Sequence, residues 1–404
     1  MSDIYIPQDS SLIEVPSFGL QPGMYVAELD RPWLETPFAM QGFLVQDQSD
    51  IDYVAKHCTY VYVDPNRKVP LSDLQKHIEN SRKLAPKEKV SIKAEFNRAK
   101  VEFESAAQAM EKVFQKLEKN NAVDVAVMQK VVTPLIDSVF RNREALAALV
   151  RLKDKGTYIF HHSLATAVWA AVLGRHLGID RMTLEELALG ASIMDVGMSE
   201  IPDELLQKQG PLEPHEIVEI RAHVSNSLKI VHKSGVSKKV LNLVACHHER
   251  HDGSGYPQGL SGSEIPPLAR IAGLADTYDA MITKRPYAEP RSSFDAIQEL
   301  SDMKDQAFQG SLVEHFIQTI GMFPTGSVVE LNTGEVGVVV EQNPIRRLKP
   351  KIVVILDENK QRRDKLALVD LTDVNGRDSN QPSLWIRNEL SVGAYGIEPD
   401  DYFI

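Results

Sequence analysis

Near the start of the chain, apolar positions fall in short runs broken by turn signals: Ile13-Glu14-Val15, then Gln21-Pro22-Gly23, Met24-Tyr25-Val26, Gly42-Phe43-Leu44-Val45 and Thr59-Tyr60-Val61-Tyr62-Val63. Runs of this length bounded by Gly and Pro predict strands, so a small β-rich domain is expected over 1–66, ending near Asp64-Pro65-Asn66. The charged, Pro-containing stretch from Arg67 to Lys89 reads as a linker. From Ser91 the period changes. Phe96, Phe103, Met110 and Leu117 recur every seven residues, with Ala99, Ala106 and Val113 three after the first three, the a/d seam of a long helix. Amphipathic helices usually bury such a seam within their own chain; a homodimer through the helices near 91–120 is the second reading.

Linker and long helices together are assigned to 67–150, and a helix-rich domain to 151–324, punctuated by Gly197, Gly210-Pro211, Gly253-Ser254-Gly255 and Pro266-Pro267. After Pro324 short β-type runs return. Val328-Val329-Glu330-Leu331 and Val336-Gly337-Val338-Val339-Val340 flank an Asn332-Thr333-Gly334 turn, and Lys351 to Leu356 follows, predicting a small C-terminal β-domain over 325–404. The expected fold class is therefore multi-domain: an all-α core flanked by small β-rich N-terminal and C-terminal domains.

Composition narrows the function. Hydrophobic residues at 43% and charged residues at 25% are those of folded domains. A net charge of -11 disfavours a nucleic-acid polymer as partner, since phosphate-backbone binding draws on many Lys and Arg contacts. A small phosphorylated ligand held by a local cation remains compatible. The two cysteines, Cys58 and Cys246, are far apart and form neither a disulfide framework nor a zinc ribbon. Neither a leader-like N-terminus nor a membrane span is visible, so a cytoplasmic protein with no membrane partner is expected.

The chemistry concentrates in His161, His162, His223, His247 and His248 with Asp195, Asp252, Asp276 and Asp279. A lone histidine on a helix is more often a hydrogen-bonded surface group than a ligand. Here, however, His247-His248 precede Asp252-Gly253-Ser254-Gly255-Tyr256-Pro257, and an Asp276-x-x-Asp279 pair follows. Adjacent histidines at a helix end can reach two neighbouring metals, and the Gly-rich turn offers backbone N–H groups to a phosphate. Asp276 and Asp279, three apart on a helix, face one pocket. Cys246 reads as a small buried side chain, not as a nucleophile.

The stretch from His247 to Pro257, with Ile265-Pro266, Ala269-Arg270-Ile271, Ala275-Asp276-Thr277-Tyr278-Asp279-Ala280 and Arg285-Pro286-Tyr287, resembles the HD-GYP subgroup of the HD metal-dependent phosphohydrolases. The resemblance covers residues 158–323. Leu20 to Val26 and Trp33 to Phe38 look like the domain of unknown function that often precedes HD-GYP domains. The resemblance implies an HD-type helical core and hydrolysis of cyclic di-GMP to linear pGpG or GMP at two divalent metal ions, Fe or Mn. It implies His162, Asp195, His223, His247, His248 and Asp276 as metal ligands, with Asp195 bridging and the catalytic centrepiece. Tyr256, Asp279 and Arg285 would hold the substrate, by analogy with the family. The hybrid GMP-AMP ring is the alternative substrate, and GGDEF-domain proteins are the implied protein partners.

Two positions depart from the pattern at its centre: Met194-Asp195-Val196-Gly197-Met198 stands where the family has a His-Asp pair followed by a lysine. A thioether is a soft, neutral donor and a poor substitute for imidazole toward Fe or Mn. Loss of a preorganised cation costs on the order of 10²-fold in rate. Ala288 and Gln309-Gly310 also depart from the pattern, and Tyr158 occupies the glutamate position of three-metal relatives, so a two-metal site is the upper limit. The sequence leaves three readings open: an active phosphodiesterase, a receptor that binds the cyclic dinucleotide without cutting it, and a protein-interaction module.

Overall fold

The computed structural model describes residues 12–30, 42–70, 88–120, 122–152, 158–284, 290–343, 349–372, 384–391 and 393–402. Contacts divide the chain into two compact units, one of residues 1–86, 329–336 and 342–388, the other of 87–328, 337–341 and 389–404.

In the first unit the short apolar runs become the strands β1 (Ile13–Pro16), β2 (Tyr25–Leu29), β3 (Phe43–Leu44) and β4 (Tyr60–Val63), in the order β1-β4-β2-β3. The pairings are antiparallel, with Ile13 opposite Val63 and Leu29 opposite Val61. A helix α1 (Gln48–His57) covers the sheet, and Leu20, Val26, Leu29, Val45, Ile51, Val54 and Val61 form the core between them. The later β-type runs form β5 (Val328–Leu331), β6 (Val336–Glu341), β7 (Lys351–Leu356), β8 (Arg362–Asp370) and β9 (Ile386–Leu390), a sheet ordered β8-β7-β6-β5-β9. Trp385, just before β9, takes the Lys56 ammonium at 3.7 Å over its ring and Tyr53 at its edge, so parts of both β-rich regions meet within this unit. Of the expected linker, residues 71–87 lie outside the described residues.

The second unit is helical: α2 (Ile92–Asn120), α3 (Val125–Arg141), α4 (Arg143–Leu152), α5 (Tyr158–His176), α6 (Arg181–Ile193), α7 (Asp203–Leu206), α8 (Pro214–Arg221), α9 (His223–Lys233), α10 (Lys238–Cys246), α11 (Pro267–Ile282), α12 (Ser293–Asp302) and α13 (Gly310–Ile320). The long helices, set apart by sequence from the domain starting at 151, belong to the same compact unit as that domain. All seven seam residues of α2, from Phe96 to Leu117, are buried, and the helix packs on α3 and α4. The seam is thereby used within the chain, as the first reading of the heptad expects. A buried carboxylate, Glu95, fixes the α2–α3 crossing by accepting from Ser138 at 2.8 Å and from Arg141 at 2.7 Å. The architecture is the expected one, an all-α HD-type core with small β-rich regions before and after it in sequence.

Side-chain capping sets where the central helices start. Asp180 accepts from the Thr183 amide at 3.1 Å to open α6, and Ser237 from the Val240 amide at 3.3 Å to open α10. Helix α5 is apolar on nearly every face and runs through the middle, packed by α6 on one side and α11 on another. Trp169 of α5 meets Tyr278 of α11 edge-on at 5.3 Å. This layer of three helices carries His162, Asp195 and Asp276 toward one another.

Candidate metal centre

Helix α6 ends at Met194, and Asp195 follows at the head of a 3-10 turn over Val196–Glu200. That turn is pressed onto α9: a Cβ at Gly197 would lie 2.3 Å from the His223 carbonyl oxygen and 2.3 Å from the Ser227 amide, while the Gly197 amide donates to Ser227 Oγ at 2.8 Å. Only glycine permits this approach, which brings Asp195 up to His223 at the start of α9. The same device works at the histidine pair. His247 and His248 leave the C-terminal end of α10, and a Cβ at Gly273 of α11 would meet the His247 carbonyl oxygen at 2.3 Å.

Two histidines have their tautomers set by the backbone. His223 Nδ1 donates to the Ile220 carbonyl at 2.7 Å, and His247 Nδ1 to that of Val244 at 2.9 Å. A carbonyl can only accept, so each neutral ring keeps its proton on Nδ1 and turns a bare Nε2 lone pair inward. Both Nε2 atoms face Asp195 Oδ1, at 3.2 Å and 3.4 Å, within ion-pair range but without hydrogen-bond geometry. Three buried acceptor atoms thus converge with no hydrogen-bond partner among the described residues. Desolvated acceptors left that way are costly, and a cation between them removes the cost.

His162 of α5 supplies the other half. Its Nδ1 lies 2.7 Å from Asp279 Oδ2 and its Nε2 2.9 Å from Asp276 Oδ1. With a carboxylate at each nitrogen, the ring needs either a second proton or a metal ion between Nε2 and Asp276. Two groups of ligand atoms therefore stand close enough to hold an ion, Asp195 with His223, His247 and His248, and Asp195 with His162 and Asp276. Asp195 belongs to both. All six expected ligands are brought together, and the donor set of imidazole and carboxylate suits a divalent transition metal.

The electrostatics agree. Burial raises the Asp195 carboxyl, but His223 and His247 beside it outweigh burial and hold it well below the ordinary carboxylate range. Burial also opposes ionisation of Asp276, and His162 beside it brings the net direction down. His248 is held well below the ordinary imidazole range by burial and then by His247, which keeps it neutral, as a ligand must be.

The residues expected to hold substrate fare unequally. Tyr256 stacks on His248, with ring centroids 4.7 Å apart and planes at 23°, and stands at the centre. Asp279 does not line a substrate pocket as expected. It is 1% exposed, and its carboxylate accepts from His162 on Oδ2 and from the Trp169 indole on Oδ1 at 3.0 Å. The carboxylate sits behind the imidazole and orients it; the i, i+3 spacing that promised one shared pocket put Asp276 in front of the ring and Asp279 behind it. Arg285 and Ala288 lie outside the described residues, as does the Tyr158 side chain. His161 and Asp252 are in neither ligand group; Asp252 shapes its own turn by accepting from the Ser254 amide at 2.9 Å. Met194 is fully buried and Met198 partly so.

Sequence reasoning missed two residues inside the quoted motif. Glu249, 4% exposed, accepts from the amides of Gln258 at 2.7 Å and Leu260 at 2.9 Å, tying down the loop that presents Tyr256. Arg250 donates to the His247 carbonyl at 3.2 Å and lies over Phe308, pinning the histidine turn from outside. The available signal was their place between the histidine pair and the glycine turn, where a buried charge must have a local partner.

Comparison with known proteins places these observations. Residues 133–312 match an HD domain, residues 12–128 a domain of unknown function (DUF3391), and residues 328–376 a KOW domain associated with the HD domain. A cyclic di-GMP phosphodiesterase of Pseudomonas aeruginosa is 29% identical over 352 residues, 84% of each chain. A cyclic di-GMP phosphodiesterase of Thermotoga maritima is 31% identical over 186 residues, 45% of this chain and 50% of its own. A 3'3'-cGAMP-specific phosphodiesterase of Vibrio cholerae is 31% identical over 159 residues, 39% of this chain and 30% of its own. The chain thus spans only about half or less of the latter two. The ligand cluster lies wholly inside the matched HD segment, and the chain carries an HD domain with DUF3391 before it and a KOW domain after it.

Proposed function

We propose that this chain is a metal-dependent phosphodiesterase that hydrolyses cyclic di-GMP, to linear pGpG or on to GMP, with the catalytic work confined to residues 151–324. The observation that carries the reading is the convergence of His223 Nε2, His247 Nε2 and Asp195 Oδ1 on one point, with Asp195 shared by a second ligand group. Two divalent ions, Fe or Mn, fit that donor set, one with Asp195, His223, His247 and His248, the other with His162, Asp195 and Asp276. Such ions supply a Lewis-acid field that acidifies a water and offsets charge on the phosphoryl oxygens. The protein's own part is positional. Asp279 and the Ile220 and Val244 carbonyls hold three imidazoles in the ligating tautomer, Glu249 and Arg250 fix the turns that carry them, and Tyr256 forms one wall beside His248. The relatives of similar sequence act on cyclic di-GMP or on 3'3'-cGAMP, so the hybrid ring is the alternative substrate.

A second reading has its own observation. Met194, with no exposed surface, fills the position where the resemblance calls for a histidine, and the second ligand group is left with three protein donors. A receptor that binds without cutting is consistent with that. The Gly255-Tyr256-Pro257 turn, with Pro257 exposed, is the surface through which a GGDEF-domain partner would engage. Among the described residues no helix is long and apolar enough to cross a membrane, and we place the protein in the cytoplasm.

The test is to measure metal per chain and product from cyclic di-GMP with Mn or Fe(II), alongside Asp195→Ala. Linear product lost in the variant supports the hydrolase; tight binding with no product under any metal replaces it by the receptor.

A further inference from the structure

Arg221 is the last residue of α8, and the backbone stays helical through Ala222 into His223 at the start of α9. The turn that delivers a metal ligand therefore also places this arginine. Its guanidinium lies 4.6 Å from the centre of the Tyr256 ring, and Tyr256 in turn stacks on His248. Arg221 is exposed and makes no hydrogen bond or ion pair among the described residues. The other cation acting on Tyr256, Arg250, is already committed to the carbonyls of His247 and Glu249. A guanidinium that rests over an aromatic ring can still donate from its N–H groups to an anion. Two buried carboxylates, Asp195 and Asp276, act on the Tyr256 ring that it covers, in a chain of net charge -11. An anionic diester entering that field gains from a cation supplied by the protein at the entrance, and a planar fork matches two phosphate oxygens.

We propose that Arg221 is a substrate-binding residue of this site, donating from its seat on the Tyr256 ring to a phosphodiester oxygen of the cyclic dinucleotide. The proposal rests on the phosphodiesterase reading and adds to it a contact made by α8. The competing role for Arg221 is packing, in which its stem merely covers Tyr256.

Four full-length, metal-loaded chains separate the two: wild type, Arg221→Ala, Arg221→Met and Arg221→Lys, each assayed for KM, kcat, metal per chain and Tm with cyclic di-GMP. Loss of one charge-assisted contact predicts a KM raised about ten- to a hundredfold in both the Ala and Met variants. Metal content and Tm stay at wild-type values, and the Lys variant recovers part of the loss. Wild-type KM in the Met variant would show that packing alone matters and overturn the proposal, as would unchanged KM in all three. If wild type binds without turnover, the same series is read as Kd by titration calorimetry with the same expectations. If wild type neither binds nor cleaves, the phosphodiesterase reading itself has failed, an outcome distinct from any pattern among the variants.

Discussion

Asp279→Asn tests whether this carboxylate orients a ligand or touches substrate. Asp279 Oδ2 lies 2.7 Å from His162 Nδ1 and its Oδ1 accepts from the Trp169 indole at 3.0 Å, so both oxygens face N–H groups. An asparagine satisfies only one of them. If its oxygen stays on Trp169, its NH2 faces His162, which must move its proton to Nε2 and so lose the lone pair that would bind metal. If the amide flips, the NH2 collides with the buried indole N–H, leaving an unmet donor that costs about 1–3 kcal/mol. With the NH2 toward His162, metal affinity at the His162 group falls about 10–100-fold, or about 1.4–2.7 kcal/mol, whereas the flipped amide keeps the tautomer and lowers stability instead. The assay is a competitive chelator titration with product formation at limiting and saturating Mn. We expect wild-type KM for the nucleotide once metal saturates, and a large loss of rate when metal is scarce. Unchanged metal affinity together with a raised KM would refute the orienting role and return Asp279 to the substrate pocket.

Gly197→Ala must displace backbone, because its Cβ would lie 2.3 Å from both the His223 oxygen and the Ser227 amide; thermal melts should show a loss of about 1–3 kcal/mol or more, with metal per chain reduced. Met194→His adds an imidazole at the end of α6, and elemental analysis after gel filtration should find more metal retained than in wild type. Burial and then the charge of Glu249 push the Cys246 thiol up to about 11, so roughly one in a thousand is thiolate at about pH 8, and iodoacetamide should leave Cys246 unmodified while the native fold persists. Stripping metal should lower Tm, and refilling to about 100 times Kd should return about 2.7 kcal/mol, read by calorimetry with and without chelator.

Much of the fold was legible because it is local. The heptad of α2 and the short runs of β1, β4, β5 and β7 are set by neighbours a few residues away, and the structure has them within a residue or two of their expected bounds. What was illegible is set by residues far apart in sequence. The heptad shows an apolar seam, not what covers it, so burial against α3 and α4 had to come from the structure. The meeting of Trp385 with Lys56 and Tyr53 brings together segments more than three hundred residues apart that carry no mutual signal. In the site, residue type and order predicted which groups gather but not which stand in front. Asp276 and Asp279 share a helix face, and only the placement of His162 between them decides that one meets the ligand side of the ring and the other its back.

The methionine at 194 bears differently on binding and on catalysis once the buried charges are counted. Asp195, Asp276 and Asp279 are each under a tenth exposed, and His248 is held neutral. Asp195 and Asp276 repel one another in this desolvated pocket, and an unpaired buried carboxylate costs several kcal/mol. Arg250 donates to the carbonyls of His247 and Glu249, so its guanidinium is committed to the backbone and not to the carboxylates. The charge must be offset by protons on the imidazoles or by metal ions, and the tautomers of His223 and His247, fixed by backbone carbonyls, favour the ion. A thioether at 194 removes one donor but no negative charge, so the demand for a cation persists. On the two-ion reading proposed above, replacing Met194 would bear on how tightly the ion at the His162 group is held, and hence on rate, whereas the drive to bind metal resides in the aspartates and survives the methionine.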